Sequence, residues 1–318
     1  MDIRPFRYDE DDYEHAFAIS RLVWPSSGSQ IADWRHYDAI RPKERIWHQF
    51  ALEKEEQLVG VGSYYEAWWN TEENQYSIDI SVHPNQQRQG IGMAFYRFAL
   101  GQLQEKYQVD SVVANTREDK VGAIHILDRE GYRLTSRVPR SRLLIDQFDP
   151  APFEPLRDKL DSEGIRFMPL TALMESDPAW QRKLWDLNWV FIQDEPRPDT
   201  PKRTPFDQYV AETFGSPSFS PESWFMAVDG DQYVGFSQLW PNHNNADLLS
   251  TGWTGVDRPY RRRGIATALK LNAIDHAKKK GIRRLETENE ETNPMYTINM
   301  KLGFKPLPAW VEYRKDFT

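Results

Sequence analysis

The residues best suited to chemistry lie in two short runs, Gln87-Arg88-Gln89-Gly90-Ile91-Gly92 and Arg261-Arg262-Arg263-Gly264-Ile265-Ala266, extended by Met93 and Thr267. Each follows a strand-like segment and opens a helix-forming one. A tight turn at a helix N-terminus leaves successive backbone N–H groups without helical partners, and the helix dipole favours an anion there. Glycine lets a ligand approach the backbone closely, and arginine adds charge-assisted hydrogen bonds. The chemistry implied is phosphate binding.

A second signature follows each run after a helix and a strand. It is Ala123-Ile124-His125-Ile126-Leu127-Asp128-Arg129-Glu130-Gly131-Tyr132 in the first half and Met295-Tyr296-Thr297-Ile298-Asn299-Met300-Lys301-Leu302-Gly303-Phe304 in the second. Gly131 follows Gly90 by 41 residues and Gly303 follows Gly264 by 39, so the chain reads as an internal duplication.

Both halves resemble the GNAT superfamily of N-acetyltransferases. Its hallmark, Q/R-x-x-G-x-G/A at the start of a helix, is matched in both runs, as is the later Gly-Tyr or Gly-Phe pair. The tandem layout, with Thr287, Asn289 and Asn293, is similar to mycothiol synthase and related two-domain acetyltransferases. The resemblance implies an α/β (α+β) fold of two tandem domains, each a mixed, mostly antiparallel sheet flanked by helices. It implies acetyl-CoA as cofactor, its pyrophosphate held at 87–93 and 261–267. Pantetheine would then lie along backbone near Ile80 to Val82 and Thr254 to Val256, with Asn293 and Asn299 near the thiol end. Many members protonate the departing thiolate with a tyrosine four residues before the glycine of the Gly-Phe or Gly-Tyr pair. Leu127 and Asn299 stand there instead, which leaves Tyr296, one turn earlier, or solvent to supply the proton.

Direct acetyl transfer also needs a carboxylate to take the amine proton, often through water. Period-two alternation over 75–82 puts Ile78, Ile80 and Val82 on one face and Ser77, Asp79 and Ser81 on the other, making Asp79 the candidate base of the first half. The matching strand of the second half, 250–256, has no carboxylate, so Glu286 and Glu288 on the next strand, or Asp194 and Glu195, would substitute. The fuller arginine run and the two asparagines favour the C-terminal half as catalytic. The expected function is transfer of acetyl from acetyl-CoA directly to an amine; the alternatives are a non-catalytic acyl-CoA sensor or interaction protein, or the use of another acyl-CoA.

The surrounding elements must position these groups. In 318 residues the repeat implies an N-terminal domain over 1–149, a proline-rich linker over 150–163 and a C-terminal domain over 164–318. Strands are expected at 3–8, 45–52, 58–65, 75–82, 110–115 and 142–145, then again from 164. The 156–162 helix is expected to belong to neither core. Six prolines between 193 and 223 argue for a long irregular cover. The chain has no cysteine, which excludes a disulfide framework, a thiolate zinc site and a cysteine nucleophile, and its histidines show no metal-ligand spacing. A formal charge of −8 argues against nucleic acid as a partner. Without a signal-like N-terminus or an apolar run of membrane length, the expectation is a cytoplasmic monomer or homodimer acting on a small-molecule amine.

Overall fold

The computed structural model describes residues 1–196 and 199–317; Pro198, one of the six prolines invoked above, lies outside them. In chain order the elements are β1 (Asp2–Pro5), α1 (Glu10–Val23), α2 (Ile31–Ile40), β2 (Trp47–Lys54), β3 (Gln57–Glu66), β4 (Gln75–Val82), α3 (Ile91–Lys106), β5 (Ser111–Arg117), α4 (Val121–Arg129) and β6 (Arg133–Leu144). They continue with α5 (Glu154–Ser162), β7 (Arg166–Pro169), α6 (Leu170–Ser176), α7 (Trp180–Asp194), α8 (Phe206–Thr213), β8 (Trp224–Asp229), β9 (Gln232–Pro241) and β10 (Leu248–Val256). The last are α9 (Ile265–Lys279), β11 (Arg284–Glu288), α10 (Pro294–Lys301) and β12 (Lys305–Asp316). The chain forms two compact units, and each has the mixed, mostly antiparallel sheet expected.

The first unit runs from Met1 to Arg137, with a short segment ending at Lys202 and the chain's last residues from Trp310. Its strand order is β1-β2-β3-β4-β5-β12, in which only β4 and β5 run parallel. Alternation sends Phe50, Leu52, Tyr64 and Ile78 to one sheet face, where Phe95, Ala99 and Leu103 of α3 close the core. The other face carries α1, whose N-cap Asp9 accepts a hydrogen bond from the Asp12 backbone N–H. Asp12 is itself buried; burial would raise its pKa, but hydrogen bonds from Arg4 and Arg7 overcome that and hold it at about 2.

The second unit takes the remaining chain between Val138 and Ala309, with strand order β6-β11-β10-β9-β8-β7 and a single parallel pair, β10 with β11. Helix α9 packs Leu269, Ala273 and Ile274 against one face, while α7 covers the other with Leu184, Leu187 and Phe191 against Trp224 and Phe236.

Four expectations need correction. The closing strands are exchanged: β5 of the first repeat pairs with Trp310–Asp316 of β12, and β11 of the second pairs with Arg140–Leu144 of β6. Local sequence says that an edge strand exists, not which of two similar partners it joins. Helix α5 does not stand apart from the cores, because its Leu160 is fully buried among Ile165, Leu269 and Leu285. The 193–223 stretch is not wholly irregular: Pro205 immediately precedes α8 and Pro217 follows it, so neither interrupts its hydrogen bonds. Helix α2 was not anticipated, since Gln30 is a weak capping residue; Asp33 accepts from the Gln30 backbone N–H at 3.0 Å.

Candidate acyl-CoA site

The two arginine- and glycine-bearing turns have the same backbone. Arg88 and Gly90 have φ of 62° and 84°, and Arg262 and Gly264 have φ of 62° and 98°. In each, the side chain that opens the run ties the turn to the end of its strand: Gln87 Nε2 donates to the Val82 carbonyl at 3.0 Å, and Arg261 Nε donates to the Val256 carbonyl at 2.9 Å. Residues alternating into the left-handed region turn successive N–H groups toward one point, and α3 and α9 start immediately afterwards. Non-glycine residues rarely adopt such φ values, so Arg88 and Arg262 bear local strain that the nest geometry requires.

The strand before each turn separates from its parallel neighbour. Pairing of β4 with β5 covers Gln75–Ser77 against Ser111–Val113, and pairing of β10 with β11 covers Leu248–Ser250 against Arg284–Glu286. Ile80 and Val82, like Thr254 and Val256, lie beyond these ladders and beside the turns. Each unit thus has a parallel pair that is joined over three residues and then parts, with an N–H-bearing turn at the end of its first strand.

Sequence comparison agrees with this geometry. The acetyltransferase (GNAT) family matches twice, over residues 10–132 and 183–304. The chain belongs to the GNAT family. It is an acyltransferase. Among solved structures it is similar to a tandem GNAT protein from the clavulanic acid biosynthesis pathway, at 16% identity and a TM-score of 0.70, covering 99% of this chain and 98% of that one. A GCN5-related N-acetyltransferase from Sphaerobacter thermophilus is similar at 19% identity and a TM-score of 0.66, covering 99% and 95%. A GNAT-family acetyltransferase from Colwellia psychrerythraea aligns at 11% identity and a TM-score of 0.59, covering 99% of each chain. A search of curated proteins found no sequence match.

The two GNAT turns differ in what surrounds them. At Gly90 nothing lies within 4 Å of where a Cβ would stand. At Gly264 the same position is 2.4 Å from Cδ1 of Leu156, on α5. Carboxylates occupy the second turn's arginines: Asp194 pairs with Arg258 at 2.7 Å and also with Arg261, and Glu163 pairs with Arg263 at 2.7 Å. Hydrogen bonds, that of Arg258 foremost, lower the Asp194 pKa, and that of Arg263 does the same for Glu163. The arginine run that suggested the stronger cofactor site is therefore largely committed to the protein's own acids. Arg88 makes no ion pair among the described residues, and Gln89 accepts a hydrogen bond from half-buried Lys54 at 3.0 Å.

Candidate catalytic groups separate in the same way. Asp79 is partly exposed on the β4 face opposite the α3 core, and the Tyr65 hydroxyl donates to its Oδ2 at 2.6 Å. On that face Ser81 Oγ accepts from Trp24 Nε1 at 3.3 Å, confirming the alternation. Desolvation raises the Asp79 pKa against the lowering effect of the Tyr65 hydrogen bond. Tyr65, in the run Tyr64-Tyr65-Glu66-Ala67-Trp68-Trp69, was not singled out from the sequence; its diagonal relation to Asp79 across β3 and β4 comes with the observed register. Its ring stacks on Trp47 with centroids 4.5 Å apart and meets Trp69 edge-on at 6.2 Å. Arg41 lies over the Trp47 ring at 4.0 Å and also lines a recess of about 600 Å³ with Tyr8, Glu10, Tyr13, Arg35 and Asp38.

In the second unit the expected polar groups are occupied elsewhere. Asn299 is fully buried, and its Nδ2 donates to Asn289 at 2.6 Å, so it is not presented to a ligand. Asn293 caps α10 by accepting from the Met295 N–H. Glu286 is buried between Arg140, at 2.8 Å, and Arg142. Glu288 is exposed at the end of β11, and Tyr296 is half-buried on α10. Glu286 stands at the last β10–β11 pair but is held by Arg140 and Arg142, whereas Asp79 of the first unit is met by a tyrosine hydroxyl.

Proposed function

We propose that this chain moves an acetyl group from acetyl-CoA directly to the uncharged amine of a small-molecule acceptor, and that the first unit is the working half. One observation carries this reading: two turns of the same backbone differ in that nothing stands within 4 Å of the Cβ position at Gly90, whereas Leu156 stands 2.4 Å from that of Gly264 and Asp194 and Glu163 pair with Arg261 and Arg263. This reverses the preference for the C-terminal half that its arginine run suggested.

Acetyl-CoA would supply the activated acyl group as a thioester. Residues 87–93 would hold its pyrophosphate, with backbone N–H groups and Arg88 directed at the charge, and β4 beyond Ser77 would offer backbone along which the pantetheine can lie. Asp79 would accept the amine proton. Desolvation raises its pKa above the ordinary carboxylate value, and the Tyr65 hydrogen bond works against that rise. The recess beside Arg41 and Asp38 is the side from which the acceptor would approach; Arg41, on its lining, lies over Trp47, which in turn stacks on Tyr65.

The test is thiol release from acetyl-CoA by the intact chain with a panel of primary amines (tyramine, spermidine, glucosamine and lysine), beside Asp79→Asn and Glu288→Gln. Amine-dependent release that falls about 10²-fold or more in Asp79→Asn and stays within twofold in Glu288→Gln supports the reading. Release that follows Glu288 instead, or none with any amine, overturns it.

A further inference from the structure

We propose that Tyr65 is the acid that returns a proton to the departing thiolate, working with Asp79 as a two-residue relay. The inference rests on the first unit being the site of acyl transfer. Its starting point is a gap: the helical position from which a tyrosine would serve is Leu127 in this unit, and its side chain packs toward the core around Phe95 and Leu103. A thiolate could then be protonated by water alone, unless another donor stands near the parted strands.

Tyr65 has the required placement. It lies on β3 opposite Ser77, the last β4 residue paired with β5, one strand back from the opening and on the β4 face that carries Asp79. Its hydroxyl is 2.6 Å from the Asp79 carboxylate, and its ring is fixed between Trp47 and Trp69, so little side-chain freedom remains to be lost in the reaction.

The hydrogen bond explains how a half-buried phenol can act as an acid. While Asp79 is a carboxylate, Tyr65 must donate to it. When Asp79 takes the amine proton it becomes a carboxylic acid, with an O–H of its own to donate. The polarity of the bond then reverses, and the phenol O–H is released toward sulfur. As the C–N bond forms and the C–S bond breaks, the amine proton passes to Asp79, the Tyr65 proton passes to sulfur, and Asp79 returns a proton to the Tyr65 oxygen. The products are an amide and a thiol, and both residues end as they began. Alone, Tyr65 would be a poor donor, since burial first and Asp79 second raise its pKa further above that of a thiol, ordinarily ~8.5. The simultaneous proton from Asp79 removes the need to form a phenolate.

The experiment is Tyr65→Phe, which keeps the ring and its stacking, read in two independent ways. In the protein without ligand, ¹³C NMR titration of the Asp79 carboxyl should move to higher pH in the variant, because the hydrogen bond that lowers its pKa is gone. In turnover of acetyl-CoA with the amine that the intact chain accepts best, kcat should fall about 10²-fold, with KM for acetyl-CoA within twofold. The dependence of rate on deuterium fraction should change from bowed, with several protons in flight, to linear. An Asp79 titration that does not move, or a variant that retains kcat and the bowed dependence, overturns the relay while leaving the acyl-transfer reading intact. Absence of turnover in the unaltered chain overturns both.

Discussion

Replacing Lys270 with methionine should stabilise the second unit by an amount that depends on pH. Lys270 is 3% exposed on α9, with its ammonium 5.7 Å from the centre of the Phe304 ring. Desolvation pulls its pKa down from 10.5 to about 7. In the unfolded chain the group titrates near its ordinary value, so between pH 7 and 10.5 the unfolded state binds more protons and stability rises with pH. Below that window both states are charged and the full cost of burying the ammonium is present; above it neither is charged and the cost vanishes. At ~1.4 kcal/mol per pKa unit the shift corresponds to about 5 kcal/mol, an upper value that side-chain relaxation and water entry reduce to roughly 3–5 kcal/mol. Methionine fills a similar volume without a charge. Urea unfolding followed by tryptophan fluorescence would be compared at about pH 6.5 and about pH 9.5. The advantage of Lys270→Met should shrink from several kcal/mol at the lower pH to about 1–2 kcal/mol at the higher. An advantage equal at both pH values, or a variant less stable than the parent at pH 6.5, would refute the assignment of a desolvated amine.

Three further outcomes follow from the same contacts. Leu156→Ala combined with Asp194→Asn and Glu163→Gln should open the second turn and add a second, weaker acetyl-CoA binding event in calorimetry; unchanged stoichiometry in a folded variant would show that these side chains are not what closes it. Glu286→Ala leaves Arg140 buried without its carboxylate partner and should cost about 3–5 kcal/mol in the second unit's unfolding free energy, measured by denaturant titration. For the first unit, the rate of amine acetylation should fall as pH drops through a carboxyl pKa that lies above the ordinary 3.8, because protonated Asp79 cannot accept a proton; a profile with no acidic limb above that value would contradict Asp79 as base.

Much of the fold was legible because its signals are local. The β4 strand was read at its observed bounds from alternation alone, and the two turns were found from a spacing that a helix N-terminus with a glycine nest imposes. What escaped depends on partners distant in sequence. Exchange of β6 and β12 is a choice between two edges of similar character, and no residue in either strand encodes it locally. Of the proposed site, the face of β4 that carries Asp79 was legible from alternation, whereas the hydrogen bond from Tyr65 to it depends on the register between β3 and β4. Asn299 and Glu286, polar residues suited to chemistry by type, also make a hydrogen bond and ion pairs to residues distant in sequence that type alone does not show. The ion pairs of the arginine run were not legible for the same reason: Asp194 and Glu163 stand 64 to 100 residues away in sequence from the arginines they pair with.

The most direct test of the central claim is calorimetric titration of acetyl-CoA into the intact chain and into a matched pair of variants, Arg88→Glu and Arg262→Glu. These positions share a φ of 62°, so each substitution reverses a charge beside its nest while replacing one non-glycine residue with another. One binding event per chain is expected, weakened about tenfold or more in Arg88→Glu and unchanged in Arg262→Glu. Binding that survives Arg88→Glu and is lost in Arg262→Glu would place the ligand in the second unit and contradict the account.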